Sequence, residues 1–187
     1  NPVINKKAIG LIGHSEGGII APIVASSNKE IAFIISLAGS GIPGEQIIHT
    51  QAADISRASG INENQIEESI SINKQLFVVL KNESDNNKKK KKMLEIYKQI
   101  LAEKKTSPKE TEKSLKQIQA SLNPAGLTWL RYFMFTDPAK FWNKVSCPVL
   151  ALNGSKDLQV AADVNLPAIE KALKSGGNKN VKTVKLE

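Results

Sequence analysis

The chain has 187 residues, 41% of them apolar and 24% charged, the balance of a globular domain. Its net charge of +8 is spread: residues 42–140 carry 16 basic and 12 acidic side chains and the remainder 10 and 6, and no aromatic stripe interleaves with basic residues, so a nucleic-acid surface is not indicated. No apolar run is long enough to span a bilayer, and the single cysteine, Cys147, excludes an intrachain disulfide.

The chain opens at Asn1-Pro2 rather than at a methionine, which points to a processed or truncated piece and makes the lack of a signal peptide uninformative. Ala8 to Ile12 reads as a strand, Ile19 to Ser27 as a helix with Pro22 in its first turns, and Ile31 to Leu37 as a second strand. Both strands are near-continuously apolar, the pattern of a sheet covered on both faces. Strand, helix, strand implies parallel pairing.

Between the first strand and the helix stands Gly13-His14-Ser15-Glu16-Gly17, with Gly18 behind it. A G-x-S-x-G segment at a strand-to-helix turn is the pattern of a nucleophile elbow. Its demand is a turn so tight that the serine hydroxyl stands above the end of the sheet. Gly13 and Gly17 are expected to be glycine because side chains there would strike the neighbouring strand and helix. Ser15 then lies at a helix N-terminus, where the Glu16 N–H faces any oxyanion formed on the serine. A phosphate-binding turn is the alternative, but neither G-x-G-x-x-G nor a P-loop lysine is present.

After Gly39-Ser40-Gly41 the composition changes. Residues 42–140 show no strand pattern. Glu45 to Ser59 reads as a helix closed by Gly60, and the next is capped by Asn62 or Asn64 and runs to Lys81. Met93, Ile96, Tyr97 and Ile100 fall on one helical face, as do Leu115, Ile118 and Leu122. Ser107-Pro108 starts the helix carrying that second stripe. Lys88 to Lys92 reads as a solvated helix start or loop tip where self-repulsion favours disorder; contact with a membrane surface or polyanion is the minority reading. In residues 124–135 Leu127, Trp129, Leu130, Tyr132, Phe133, Met134 and Phe135 crowd together, so this helix is expected to be buried on most sides or to line a pocket. Trp129, Tyr132 and Phe133 are the candidate pocket residues.

Residues 141–187 return to the first pattern. Pro148 to Leu152 is a third buried strand, Asn153-Gly154-Ser155-Lys156-Asp157 a turn at its C-terminal end, Val164 to Leu173 a helix, and Val181 to Leu186 a fourth strand. Cys147 reads as a small packing residue. The class is therefore α/β, a parallel sheet in two parts, 1–41 and 141–187, interrupted by an all-helical insertion over 42–140.

A serine hydroxyl needs a base, and the base an acid to orient it. Asp157, just past the C-terminal end of a strand, is the candidate acid; Asp163 is the runner-up and reads better as a helix cap. The bases on offer are two. His14 adjoins Ser15, points elsewhere and is expected inside the core, and His49 lies in the first helix of the insertion. No set of His, Cys and carboxylates has metal-ligand spacing, so no metal and no cofactor is expected.

Gly-His-Ser-Glu-Gly-Gly at 13–18, Ser36-Leu37-Ala38-Gly39-Ser40-Gly41, and Cys147 through Asp157 together resemble the α/β-hydrolase superfamily, and within it bacterial serine esterases with a helical cap. The resemblance covers both ends of the chain and little of the middle. It implies that Ser15 is the nucleophile, Asp157 the acid, the Glu16 N–H one oxyanion donor and 42–140 the cap. It implies a triad histidine in the loop after the last strand, beyond Glu187, and a second oxyanion donor from a loop upstream. The expectation is thus an internal piece of a longer hydrolase acting on small carboxylic esters, with the Ala8 to Ile12 strand paired to the rest of the core or to a second chain. The other reading is a non-catalytic α/β-hydrolase-like binding module that has lost its triad histidine.

Overall fold

Short apolar runs leading into glycine-containing turns give β1 (Leu11–His14), β2 (Ile34–Leu37) and β3 (Val149–Gly154), and an alternating segment gives β4 (Val181–Leu186). They form one sheet in the order β1-β2-β3-β4 in a computed structural model that describes residues 4–187; the first three residues of the expected first segment lie outside it. All three pairings are parallel, and the register sets Gly13 beside Ser36 and Ser36 beside Ala151. Parallel strands need crossovers. Helix α1 (Gly17–Ser27) joins β1 to β2. Between β2 and β3 stand α2 (Gly44–Ala58), α3 (Glu63–Asn82), α4 (Asn86–Glu103), α5 (Pro108–Ser121), α6 (Pro124–Phe135) and the short α7 (Ala139–Trp142). Helix α8 (Ala162–Ser175) joins β3 to β4.

The first strand starts later than Ala8. Lys6–Ala8 form a single 3-10 turn, whose Lys7 N–H is held by the Asn5 side chain at 3.0 Å, and regular pairing begins at Leu11. The ladder still reaches back to Ile9, whose carbonyl accepts from Ala32 N–H at 2.8 Å.

One face of the sheet builds a core. Leu11, Ile34, Val149, Ala151 and Val181 pack with Ala21 and Ala25 of α1, Trp142 of α7, and Leu166, Ile169 and Leu173 of α8. Cys147 packs against the same cluster, and burial pushes its thiol pKa up. The opposite face departs from the expectation of two covered faces. Ile35, Leu37, Leu150, Leu152 and Val184 are only partly buried, and Ile12 is 68% exposed. The two helices packed on the strands, α1 and α8, both belong to the first core, so among the described residues no helix is packed across these side chains. Continuous apolarity identifies a strand whose two faces suit burial, not the element that buries them.

The insertion has its own core of Leu76, Phe77, Leu80, Met93, Leu122, Leu127 and Met134. Helices α3 to α6 start where a short polar side chain meets the first free N–H groups: Asn62 accepts from Gln65 N–H at 3.0 Å, Asp85 from Lys88 N–H at 2.7 Å, and Asn123 from Gly126 N–H at 2.9 Å. Ser107 caps α5 with Pro108 as its first residue. Gly60, at φ 77°, ends α2 in the left-handed region that glycine tolerates. The lysine run lies in the first turns of α4, the helix start that was one of its two expected placements, and is helical there rather than disordered. Lys89 is buried and donates to Asn86, while Lys92 pairs with Glu83 at 2.7 Å, which relieves part of the self-repulsion. Helix α6 is also corrected: only Leu127 and Met134 are buried, whereas Trp129 and Tyr132 are 50% and 56% exposed. Among the described residues no helix is long and apolar enough to cross a membrane.

Candidate active site

The chain between β1 and α1 turns on Ser15, which adopts φ 54°. That region costs a side-chain-bearing residue free energy, and it persists only where the surroundings hold it. They do so here on both sides: Ser15 N–H donates to Leu37 O of β2 at 2.9 Å, and Ser15 O accepts from Gly18 N–H at 2.9 Å. Tightness is enforced by two glycines. A Cβ on Gly13 would run into the Gly17 carbonyl, and one on Gly18 would lie 2.5 Å from Gly39 Cα. Gly17 differs from the expectation, since a Cβ there would meet nothing within 4 Å. The second steric glycine is therefore Gly18, packed against the Gly39 end of β2.

Ser15 is exposed, and its Oγ makes no hydrogen bond among the described residues. Glu16 caps α1 in helical conformation without a side-chain cap bond. Its backbone N–H donates to no acceptor among the described residues, as at any helix start, where the first N–H groups have no partner within the helix.

Asp157 reaches the same place from β3. Asn153, buried at the end of that strand, donates through Nδ2 to Val160 O at 2.7 Å and folds the 154–160 turn back on itself. Inside the turn Asp157 Oδ1 accepts from Gln159 N–H at 2.8 Å and Val160 N–H at 3.0 Å. Its Oδ2 accepts nothing among the described residues, which leaves one carboxylate oxygen for a further donor. A cavity of about 450 Å³ at the C-terminal edge of the sheet is lined by both Ser15 and Asp157, with His14, Ala38 and Ile55. A narrower pocket adjoins it, sharing Ser15 and Ala38 and bounded by Glu16, Ser40, Ile47, Gln51 and Phe133. Larger cavities of about 640 Å³ between α7 and α8, and 680 Å³ at the opposite end of the strands, contain neither Ser15 nor Asp157. Ligands of open parallel sheets bind at the carboxyl ends of the strands, which favours the Ser15 cavity over the larger ones.

The loop under this cavity is pinned from behind. Trp142, fully buried, donates Nε1–H to Ser40 O at 2.9 Å; Asn165 of α8 accepts from Gly41 N–H at 3.0 Å and from Ser40 Oγ at 3.3 Å. Ala38, at φ 47°, begins that loop and lines both pockets. The sequence carries no motif for Asn165 or Trp142; only a polar residue in an otherwise apolar helix, and a tryptophan just before a strand, hint at them. Ile47, Gln51 and Ile55 recur every four residues, and that period is a legible sign that one face of α2 lies over the pockets.

Of the three aromatic candidates, Phe133 lines the narrow pocket. Trp129 stacks on Phe133 with ring centroids 5.5 Å apart and planes 12° apart, and its Nε1–H donates to Glu16 Oε1 at 2.7 Å. Tyr132 is exposed and lines neither pocket.

The remaining candidates fall outside the cluster or change role. His14 is exposed at the cavity rim rather than in the core, because it shares the uncovered sheet face with Ile12. His49 packs on Phe77 of α3, centroids 5.1 Å apart, with Nδ1 buried and unpartnered. Two residues from both Ile47 and Gln51, it faces away from Ser15. Burial holds its pKa below the ordinary imidazole value; Glu45 opposes this and Lys74 adds to it. Asp163 is not a helix cap: α8 is capped by Ala161, and Asp163 pairs with Lys185 of β4 at 2.9 Å. Among the described residues no group of three or more His, Cys, Asp or Glu side chains is gathered as a metal site requires.

The solved structures similar to this chain are few in sequence identity and longer in extent. An esterase from Pyrococcus furiosus is 15% identical with a TM-score of 0.46, over 97% of this chain and 44% of that one. A lipase-esterase related protein from Clostridium acetobutylicum is 16% identical with a TM-score of 0.47, over 97% of this chain and 58% of that one. An alpha/beta fold family hydrolase from Bacillus anthracis is 17% identical with a TM-score of 0.47, over 97% of this chain and 60% of that one. The chain thus spans about half the length of these structures. No curated protein matches it significantly. Residues 1–187 match the family described as BAAT / Acyl-CoA thioester hydrolase C terminal; the chain belongs to that family, and its parallel sheet interrupted by helices is of α/β-hydrolase type.

Proposed function

We propose that this protein is a serine hydrolase that cleaves acyl esters through an acyl-enzyme on Ser15. The observation that carries the reading is a serine held at φ 54° on a strand-to-helix turn, in one cavity with a carboxylate, the serine hydroxyl and one carboxylate oxygen both without a partner among the described residues. In this reading a histidine outside residues 1–187, beyond Glu187, takes the Ser15 proton while Oγ attacks the ester carbonyl. The Oδ2 of Asp157 orients that histidine and stabilises its charged form. The carbonyl oxygen, now negative, accepts from the unpaired Glu16 N–H at the positive end of α1. Collapse breaks the bond to the leaving group, which departs with the proton from histidine. Water then enters by the same steps, the acid is released and Ser15 is restored. The exposed edge of β1 and the bare face around Ile12 fit further hydrolase core, or a second chain, lying against them.

The family's description favours a thioester such as an acyl-CoA as the substrate class; an oxygen ester remains the general case, since the same attack and the same oxyanion serve both. The test is release of thiol from acyl-CoAs, and of p-nitrophenol from acyl esters, by the full-length protein and its Ser15→Ala variant. Ser15→Ala lowers kcat by roughly a thousandfold or more if Ser15 is the nucleophile. Hydrolysis of neither class would leave the binding-module reading.

A further inference from the structure

We propose that Trp129 is a positioning residue, clamping the helical insertion to the Ser15 turn through its hydrogen bond to Glu16. This inference rests on the Ser15 reading. The bond is unusual in what it joins. Its donor sits on α6 and its acceptor is the side chain of the residue that follows Ser15, 113 positions away, at 2.7 Å. The acceptor is a carboxylate whose own backbone N–H is the candidate oxyanion donor.

Two physical consequences follow from that arrangement. First, a carboxylate next to a forming oxyanion repels it. Hydrogen bonding to the indole turns the Glu16 side chain toward α6 and disperses part of its charge, so the N–H can act while the carboxylate is held aside. Second, the indole stacks on Phe133, the residue of α6 that bounds the narrow pocket at Ser15. Fixing Trp129 therefore also fixes the wall that an acyl chain would meet. Half-exposed, Trp129 is not among the buried members of the insertion's own core, to which α6 contributes Leu127 and Met134. The hydrogen bond rather than burial explains why an indole stands there.

The experiment uses the full-length protein and Trp129→Phe, which keeps a stacking ring and removes only the N–H. It reads the rate of fluorophosphonate labelling at Ser15, the kcat and KM of ester hydrolysis, and amide hydrogen exchange over residues 124–135. The clamp predicts labelling and kcat lower by about tenfold, KM within about twofold, and faster exchange in α6, because a hydrogen bond to a charged group is worth about a tenfold step. Glu16→Ala combined with Trp129→Phe should slow labelling less than the product of the single effects, since both remove one bond. A merely structural tryptophan would give multiplicative losses and a shifted melting temperature. If Trp129→Phe is labelled at the wild-type rate, the proposal is overturned. If the wild-type protein is never labelled, the Ser15 reading fails by itself, and exchange decides the clamp: faster exchange supports it and unchanged exchange overturns it.

Discussion

Around Ser15 the backbone leaves almost no choice of residue, whereas in the insertion a position is defined mainly by which face of a helix it occupies. At the turn, a Cβ on Gly13 would strike backbone, Ser15 and Ala38 hold positive φ, and Asn153 and Asn165 each fasten one loop by named hydrogen bonds. In the insertion, seven buried side chains form the core, six from α3, α4 and α6 and the seventh, Leu122, from the link between α5 and α6, and polar caps start α3, α4 and α6. A geometry with one solution writes a short motif into the sequence; a packed helical layer with many solutions writes only a period.

The two tryptophans break or sharpen that contrast most strongly. Trp142 is fully buried and donates to Ser40 O, so Trp142→Ala should cost about 3–5 kcal/mol in urea unfolding. Trp129→Ala should cost only about 0.5–1.5 kcal/mol, the range of a lost aromatic pair at an exposed site. Equal losses would erase the distinction between sheet core and insertion. Next come the glycines: Gly13→Ala should destabilise by about 1–3 kcal/mol through the clash with the Gly17 carbonyl, while Gly17→Ala should change stability by less than about 0.5 kcal/mol. Thermal melts of the pair decide whether the motif's last glycine is steric. Loss of a cap is smaller, about 1 kcal/mol for Asn62→Ala, visible as a lower melting temperature and faster hydrogen exchange at the start of α3.

The smallest effect is one of pH. His49 has its pKa lowered on folding, chiefly by burial. The unfolded chain therefore takes up the proton first as pH falls, and folding stability drops as pH passes below the ordinary imidazole value of about 6.5. His49→Leu should flatten that part of the stability curve, measured as the urea midpoint against pH. A slope that persists unchanged in the variant would assign the pH dependence to other groups.

What could be read beforehand follows the same division. The parallel pairing of the first two strands, the turn at Ser15, the cap at Asn62 and the helix start at Ser107-Pro108 are carried by short stretches of sequence, which is why they were legible. The start of β1 moved because Asn5 and the 3-10 turn take residues that an apolar run alone assigns to a strand. The exposure of Ile12, Trp129 and Tyr132 was not legible, since hydrophobicity says that a face can be buried and only tertiary structure says against what. Gly18 was displaced by Gly17 in the motif's usual reading because the decisive neighbour, Gly39, is distant in sequence. The hydrogen bond from Trp129 to Glu16 was invisible for the same reason.

The most direct test of Ser15 as the nucleophile is intact-mass analysis after fluorophosphonate treatment of the full-length protein, of Ser15→Ala, and of residues 1–187 alone. The account predicts one adduct on the full-length protein at Ser15, none on Ser15→Ala, and none on residues 1–187, whose two histidines are not bonded to Ser15 or Asp157 among the described residues. An adduct on Ser15→Ala, or none on the full-length protein, would contradict it.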